Sequence, residues 1–215
     1  MAIKLLQDDL INKIAAGEVV ERPASIVKEL VENAIDAGAT KINVNIVRGG
    51  IDSVEVEDNG SGIAPDELML AFQRHATSKI GREEDLNNIA TMGFRGEALP
   101  SIASVSKIQI MTAQTDKPGI QAVLEGGVLI NSAPCSCPPG TRIMINDVFY
   151  NTPARREFLK TPVTEGNNVH EIMNRLALSR PDISFKFSNQ NKTFFKTPGK
   201  GDLMDTVTSI YGRDF

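Results

Sequence analysis

Glu29 and Asn33 stand four residues apart in a run, 24–37, with helical periodicity. At about 100° per residue their side chains project next to each other from one face. A carboxylate can activate water, and a neutral amide oxygen beside it can help hold a hard cation such as Mg²⁺, so the pair suits phosphoryl chemistry. Glu32 and Asp36 share that face, while Val27, Leu30, Val31, Ala34 and Ile35 fill the opposite one. Wheel arithmetic alone makes the polar face a solvated one. Another carboxylate, Asp58, follows Val54 and Val56 at the two-residue period of a strand and ends a core-facing row. Burying it without partners costs roughly 2 to 7 kcal/mol or more, so it calls for a donor. The glycines of Asn59-Gly60-Ser61-Gly62 permit positive φ and close backbone approach to a ligand. Asp-Asn-Gly is equally ordinary turn chemistry at a strand end.

Two more stretches have phosphate-binding character. Gly93-Phe94-Arg95-Gly96-Glu97-Ala98-Leu99 sets glycines and their backbone N–H groups just before an apolar stretch able to start a helix. Thr77-Ser78-Lys79 adds two hydroxyls and an ammonium. Singly, each is also an ordinary loop sequence. The P-loop ending in Gly-Lys-Ser/Thr is absent, as is Gly-x-Gly-x-x-Gly, so a nucleotide would be bound by another architecture.

The elements that must position these groups are legible in order. Residues 8–18 are weakly helical; Pro23 sits where a helix begins, and Gly38 stops it. Alternation at Ile42, Val44 and Ile46, a turn at Arg48-Gly49-Gly50 and a return at 54–56 give an antiparallel hairpin. A helix is expected at 65–75, then about twenty irregular residues before Leu99, a length more typical of a functional loop than of filler. Strands are expected at 106–113, 120–125, 128–132 and 141–148, a helix at 167–179, a strand pair at 183–197 and a helix from about Leu203.

With 215 residues, 41% hydrophobic and 23% charged, the chain has the material for one main domain. Net charge is −4 without long like-charge blocks, so no broad nucleic-acid or membrane surface is indicated. Charges among the first twenty residues argue against a secretory signal or membrane span, and the expected location is cytoplasmic. Cys135 and Cys137 fit neither a Cys-x-x-Cys redox motif nor a usual zinc pair.

The run IAAGEVVERPASIVKELVENAIDAGAT at 14–40, with DNGSGI at 58–63, HATSKI at 75–80, GFRGEAL at 93–99 and NTPARREF at 151–158, resembles the N-terminal ATPase region of the MutL DNA mismatch-repair family. The motifs occur in the same order, and the resemblance extends to about residue 200. It implies the GHKL or Bergerat ATP-binding fold shared with gyrase B, Hsp90 and histidine kinases. That fold is an α/β (α+β) sandwich, with a mixed, mostly antiparallel sheet and helices on one face. The implied division is an N-terminal arm at 1–20, the ATP-binding domain at 21–198 and the start of a truncated second domain at 199–215.

The resemblance gives each constellation a role. Glu29 would be the general base on the attacking water and Asn33 the Mg²⁺ ligand, which turns the polar helix face into a cavity wall. Asp58 would accept the adenine amino group, Gly62 would let the base approach, and Thr141 would complete recognition through its hydroxyl. Plain β-propensity explains Thr141 equally well. Thr77, Ser78 and Lys79 would lie near the phosphates. Gly93, Phe94, Arg95, Gly96, Glu97, Ala98 and Leu99 would wrap them, with Phe94 a packing anchor and Arg95 a phosphate contact or hinge. The cofactors implied are ATP or ADP with Mg²⁺. The implied partners are a second copy in an ATP-dependent homodimer, a MutS-like mismatch sensor, and a downstream endonuclease and helicase.

The family takes a further catalytic lysine and most of its DNA groove from a following domain, so this length of chain is expected to hydrolyse ATP poorly and bind DNA weakly. Alternatives are a non-catalytic nucleotide-binding interaction module or another GHKL ATPase. A histidine kinase would have only His75 and His170 to offer. GFRGEAL and NTPARREF point away from Hsp90-like and gyrase-like proteins. Arg155, Arg156 and Lys160 read as a solvated helix face, with a phosphate or partner contact as the alternative.

Overall fold

The computed structural model describes residues 16, 17, 19–79, 91–93, 96–190 and 192–212. Most of the expected N-terminal arm, together with Phe94 and Arg95, lies outside the described residues.

Helix α1 (Pro23–Asp36) starts where Arg22 is still extended and Pro23 takes the first helical position, which needs no N–H donor. It stops as Gly38 turns at φ +73° and the Ala39 N–H returns to Ala34 O at 3.1 Å. Ile26, Val27, Leu30, Val31 and Ala34 are buried. Next come β1 (Lys41–Val47), a short 3-10 turn (Arg48–Gly50) and β2 (Ser53–Asp58). The helix expected at 65–75 shrinks to the four residues of α2 (Leu68–Ala71). Beyond it, Phe72 and Gln73 donate back only three residues, to Met69 and Leu70, and His75 turns at φ +63°. Of the four residues only Leu68 is buried, too little apolar surface to hold a longer helix.

Helix α3 (Ala98–Ser104) leads into β3 (Lys107–Ala113), β4 (Gly119–Glu125), β5 (Val128–Cys135) and β6 (Gly140–Asn146). After the short α4 (Pro153–Phe158) comes α5 (Pro162–Ser179), five residues longer at its start than the expected 167–179. Thr161 Oγ1 accepts the Thr164 N–H at 3.3 Å, and buried Glu165 folds back to the Lys160 N–H at 2.9 Å. The polar run 164–168 carries no apolar periodicity, so capping alone marks this start. Strands β7 (Ser184–Asn189) and β8 (Lys192–Lys196) follow, and α6 (Leu203–Tyr211), capped by Asp202, packs on α5 and β8.

The eight strands form one sheet in the order β5-β4-β3-β6-β2-β1-β7-β8, antiparallel except for the parallel β1–β7 pair. Ile42, Ile46, Val54, Ile108, Ile110, Ile145, Phe185 and Phe187 point to the helix-covered face and are essentially inaccessible. Each such side chain contributes about 1.5 to 3 kcal/mol of burial. The other face carries Asn43, Glu55, Glu57, Gln109, Arg142 and Lys186, with Arg142 paired to Glu55 across the β2–β6 ladder at 2.6 Å. This is the expected sandwich, with helices on one face of a mostly antiparallel sheet. Among the described residues no helix is long and apolar enough to cross a membrane.

Candidate nucleotide site

The strand register lines up one end of the site. Asp58 ends β2 directly opposite Thr141 on β6, and Thr141 is opposite Thr112 on β3. Directly opposed residues share a sheet face, so the three polar side chains form a row across three strands. Thr112 is fully buried: its Oγ1 lies 3.0 Å from Thr141 Oγ1, 3.0 Å from Gly140 O, and accepts the Ile63 N–H at 2.9 Å. Asp58 Oδ1 accepts the Gly60 N–H at 2.8 Å. Burial holds the Asp58 carboxyl above the ordinary aspartate range, against the opposing pull of the Gly60 and Thr141 N–H groups.

Within the same motif Asn59 ties the turn to the start of β1. Its Oδ1 accepts the N–H groups of Thr40 and Lys41 at 2.9 and 2.8 Å, and its Nδ2 donates to Thr40 Oγ1 at 2.9 Å. Asp58 Oδ1 serves the turn as well, so the turn reading and the ligand reading meet on the same carboxylate. A Cβ on Gly60 would stand 2.9 Å from both Cβ and O of Ala37, which seats the turn on the end of α1. At Gly62, φ is +67° and a Cβ would lie 2.0 Å from Ala113 O. Strand packing therefore already requires that glycine, in addition to any approach by a ligand.

The other end is built on the polar face of α1. The side chains of Glu29, Glu32 and Asp36 are only 26%, 13% and 8% exposed, so wheel arithmetic alone misjudged a face that is in fact covered. Over Asn33 and Asp36 the cover comes from residues 77–79 and 91–93. Lys79 Nζ donates to Asn33 Oδ1 at 2.9 Å and pairs with Asp36 Oδ2 at 2.6 Å. Asp36 also accepts the N–H groups of Met92 and Gly93 at 3.1 and 3.4 Å. Thr77 Oγ1 accepts the Lys79 N–H at 3.1 Å, and Ser78 is exposed. Glu29 is reached by Lys28, which also pairs with Glu32.

Gly96, at φ +62°, leaves no room for a Cβ against Ala76 O. Glu97 pairs with His75 Nδ1 at 3.0 Å and approaches Arg74 Nε at 3.9 Å, so its carboxylate ties this stretch to residues 74–76. Ala98 and Leu99 form the first turn of α3, and Leu99 packs against the core.

The geometry thus brings Glu29, Asn33, Lys79 and Gly93 together at one end, and Asp58, Gly62 and Thr141 at the other. Gly60 and Ser61 link the two through Ala37, whose carbonyl accepts the Ser61 N–H at 2.9 Å. Two residues given no role by the sequence belong here as well, Asp36 and Thr112. Asp36 carried a signal, since it lies three residues beyond Asn33 on the same face; Thr112 carried none until the β3–β6 register existed. Asn33 Oδ1 already faces a cation, the Lys79 ammonium, with a carboxylate adjacent, and this donor set fits Mg²⁺ when phosphate oxygens supply the remaining ligands.

Other residues fall outside the site. The Arg155 guanidinium is turned toward Gly17, so close that a Cβ there would be 2.1 Å from Nη2, and only Arg156 and Lys160 keep the expected exposed placement. His170 sits among Phe187, Phe194 and Phe195, and burial lowers its pKa. Shallow depressions on the bare sheet face, around Gln109, Gln121 and Arg142 and around Asn43, Glu57 and Lys186, touch neither Asp58 nor α1.

The family described as Histidine kinase-, DNA gyrase B-, and HSP90-like ATPase matches residues 21–127. The DNA mismatch repair protein MutL of Syntrophomonas wolfei is 57% identical over 215 residues, covering 100% of this chain and 37% of that protein. MutL of Shouchella clausii is 56% identical over 211 residues, covering 98% of this chain and 32% of that protein. Among solved structures, the Aquifex aeolicus MutL ATPase domain complexed with ADP superposes with a TM-score of 0.73 at 32% identity, covering 90% of this chain and 70% of that one. The N-terminal domain of a DNA repair protein shares the fold, with a TM-score of 0.77 at 24% identity, covering 94% of this chain and 60% of that one.

The fold and these similarities define a GHKL-type ATPase domain. Within that class, the chain belongs to the MutL DNA mismatch-repair family, as its N-terminal GHKL ATPase region. It spans about a third of the length of the curated relatives it matches.

Proposed function

We propose that this chain binds ATP and ADP with the adenine at Asp58 and the phosphates over α1, and that in the longer protein it drives slow ATP hydrolysis. The observation that carries this reading is the row Asp58–Thr141–Thr112: a desolvated carboxylate with a hydroxyl beside it, on a rigid sheet, at the turn that abuts α1. An acceptor next to a hydroxyl that can donate or accept matches the edge of adenine, whose exocyclic amine donates and whose ring nitrogens accept. The ADP held by the Aquifex aeolicus domain supports the same ligand class.

At the other end, Glu29 orients the attacking water and takes its proton, while Asn33 supplies a neutral oxygen to the cation. A magnesium ion, which Asn33 would help hold, would supply charge neutralisation at the phosphates when bound. Lys79 addresses the phosphate oxygens with the N–H that Asn33 and Asp36 leave free, beside the turn at Gly93. The hydrolysis cycle serves as a switch: the nucleotide orders flanking segments, two copies associate, and hydrolysis resets them. That switch links a MutS-like mismatch sensor to a downstream endonuclease and helicase in the cytoplasm, with DNA contacted mainly by parts of the protein beyond this region.

Calorimetric titration of ADP and a non-hydrolysable ATP analogue, with Mg²⁺, into wild type and Asp58→Ala tests the nucleotide reading. Binding by wild type and none by the variant is expected; equal binding by both overturns the adenine assignment.

A further inference from the structure

We propose that Asp36 is the positioning residue of the phosphate end, one carboxylate that holds Lys79 and the backbone of Met92 and Gly93 in place beside Asn33. The inference rests on the nucleotide reading above and deepens it.

Asp36 is badly placed for stability alone. It is the last residue of α1, where the helix dipole presents partial negative charge, and a carboxylate there is disfavoured. Its side chain is also only 8% exposed, so it is largely desolvated. What offsets both costs is its set of partners: the Lys79 ammonium at 2.6 Å and the N–H groups of Met92 and Gly93 at 3.1 and 3.4 Å. These come from stretches on either side of residues 80–90, and Asp36 is a partner common to both. The contacts leave Lys79 Nζ 2.9 Å from Asn33 Oδ1 with one of its three N–H groups still to give, and seat the turn at 92–93 beside it, so the ammonium is fixed where anionic oxygens above Asn33 would need it. Preorganised donors of this kind strengthen phosphate binding without touching the base.

Asp36→Asn keeps the size and the oxygen that accepts the Met92 N–H, but replaces Oδ2, the acceptor for Lys79 and the Gly93 N–H, with an amide NH₂ and removes the ionic partner of Lys79. The affinity for Mg²⁺-ADP, measured by calorimetry, is expected to fall about tenfold, the loss of one charge-assisted contact. Adenosine, which carries no phosphate, is expected to bind within about twofold of wild type in an NMR titration. Asp36→Glu is expected to recover part of the loss. Lys79→Met is expected to show the same phosphate-selective loss, and the double variant no more than the larger single effect. Equal losses for ADP and adenosine, or an unchanged ADP affinity in Asp36→Asn, overturn the inference while leaving the nucleotide reading intact. If Asp36→Asn does not fold, Asp36→Glu decides by the same comparison: a smaller, phosphate-selective loss is expected, and equal losses for ADP and adenosine or an unchanged ADP affinity overturn the inference. Failure of wild type to bind ADP overturns the nucleotide reading and this inference with it.

Discussion

Thr112→Val isolates the coupling between sheet and site, because it deletes one hydroxyl and preserves shape. Thr112 Oγ1 accepts the Ile63 N–H at 2.9 Å and has a single proton to give, to Gly140 O or to Thr141 Oγ1, each 3.0 Å away. The side chain is fully buried, so water cannot replace what is lost. A buried donor left without its partner costs about 1 to 3 kcal/mol, and taking about 2 kcal/mol for the Ile63 N–H is a middle value. For a chain of this length that lowers Tm by roughly 4 to 8 °C. The Thr141 hydroxyl also loses the neighbour that orients it, so ADP affinity is expected to fall about threefold to tenfold, less than one full hydrogen bond to ligand. Differential scanning calorimetry and isothermal titration of the same sample read both effects. A variant with unchanged Tm and unchanged affinity would refute the argument that the β3 hydroxyl supports the adenine end.

Asp58→Asn should separate stability from binding. Burial raises the Asp58 carboxyl in the folded chain, so the native state holds a proton that the unfolded state releases. Its contribution to stability is therefore full below the ordinary aspartate range, from about pH 4 upward it is progressively lost, and the amide variant lacks that loss. Asn at this position should accordingly melt higher than wild type near neutral pH, converge with it in acid, and bind ADP far more weakly; a lower Tm at neutral pH would contradict the sign. Gly62→Ala should destabilise by at least about 3 kcal/mol in urea unfolding, from left-handed strain and the 2.0 Å approach to Ala113 O, and a near-neutral result would mean that this turn moves freely. Glu29→Gln, in a chain long enough to turn over, should lower hydrolysis by about 10²- to 10⁴-fold with ADP affinity held within about twofold. Retained turnover would remove Glu29 from the role of base.

The parts of the fold written in local periodicity were legible before the structure. Ile42, Val44 and Ile46 alternate, Arg48-Gly49-Gly50 turns, and the hairpin forms with that register. Pro23 and Gly38 bracket α1 as their backbone preferences require. The stretch 65–75 reads as one helix by composition but holds a single turn, because only Leu68 is fully buried while Met69 and Phe72 pack half-buried at the edge of the core. The start of α5 was missed because Thr161 and Glu165 announce it by capping, not by apolar spacing. At the site, Glu29, Asn33 and Asp58 stand out as residue types in suggestive places. Thr112 does not, since its meaning depends on strands β3 and β6 pairing across 28 residues of chain. The cover over α1 was equally invisible to a helical wheel, which sees one element at a time. Lys79 reaches Asp36 from 43 residues away.

The most direct test is a crystal structure of this chain with Mg²⁺ and ADP. The account predicts the adenine amino group within about 3 Å of an Asp58 carboxylate oxygen, the Thr141 hydroxyl at the same edge, and the phosphates against Asn33, Lys79 and Gly93. Adenine bound elsewhere, for example on the bare sheet face near Gln109 and Arg142, with Asp58 facing no ligand, would contradict it.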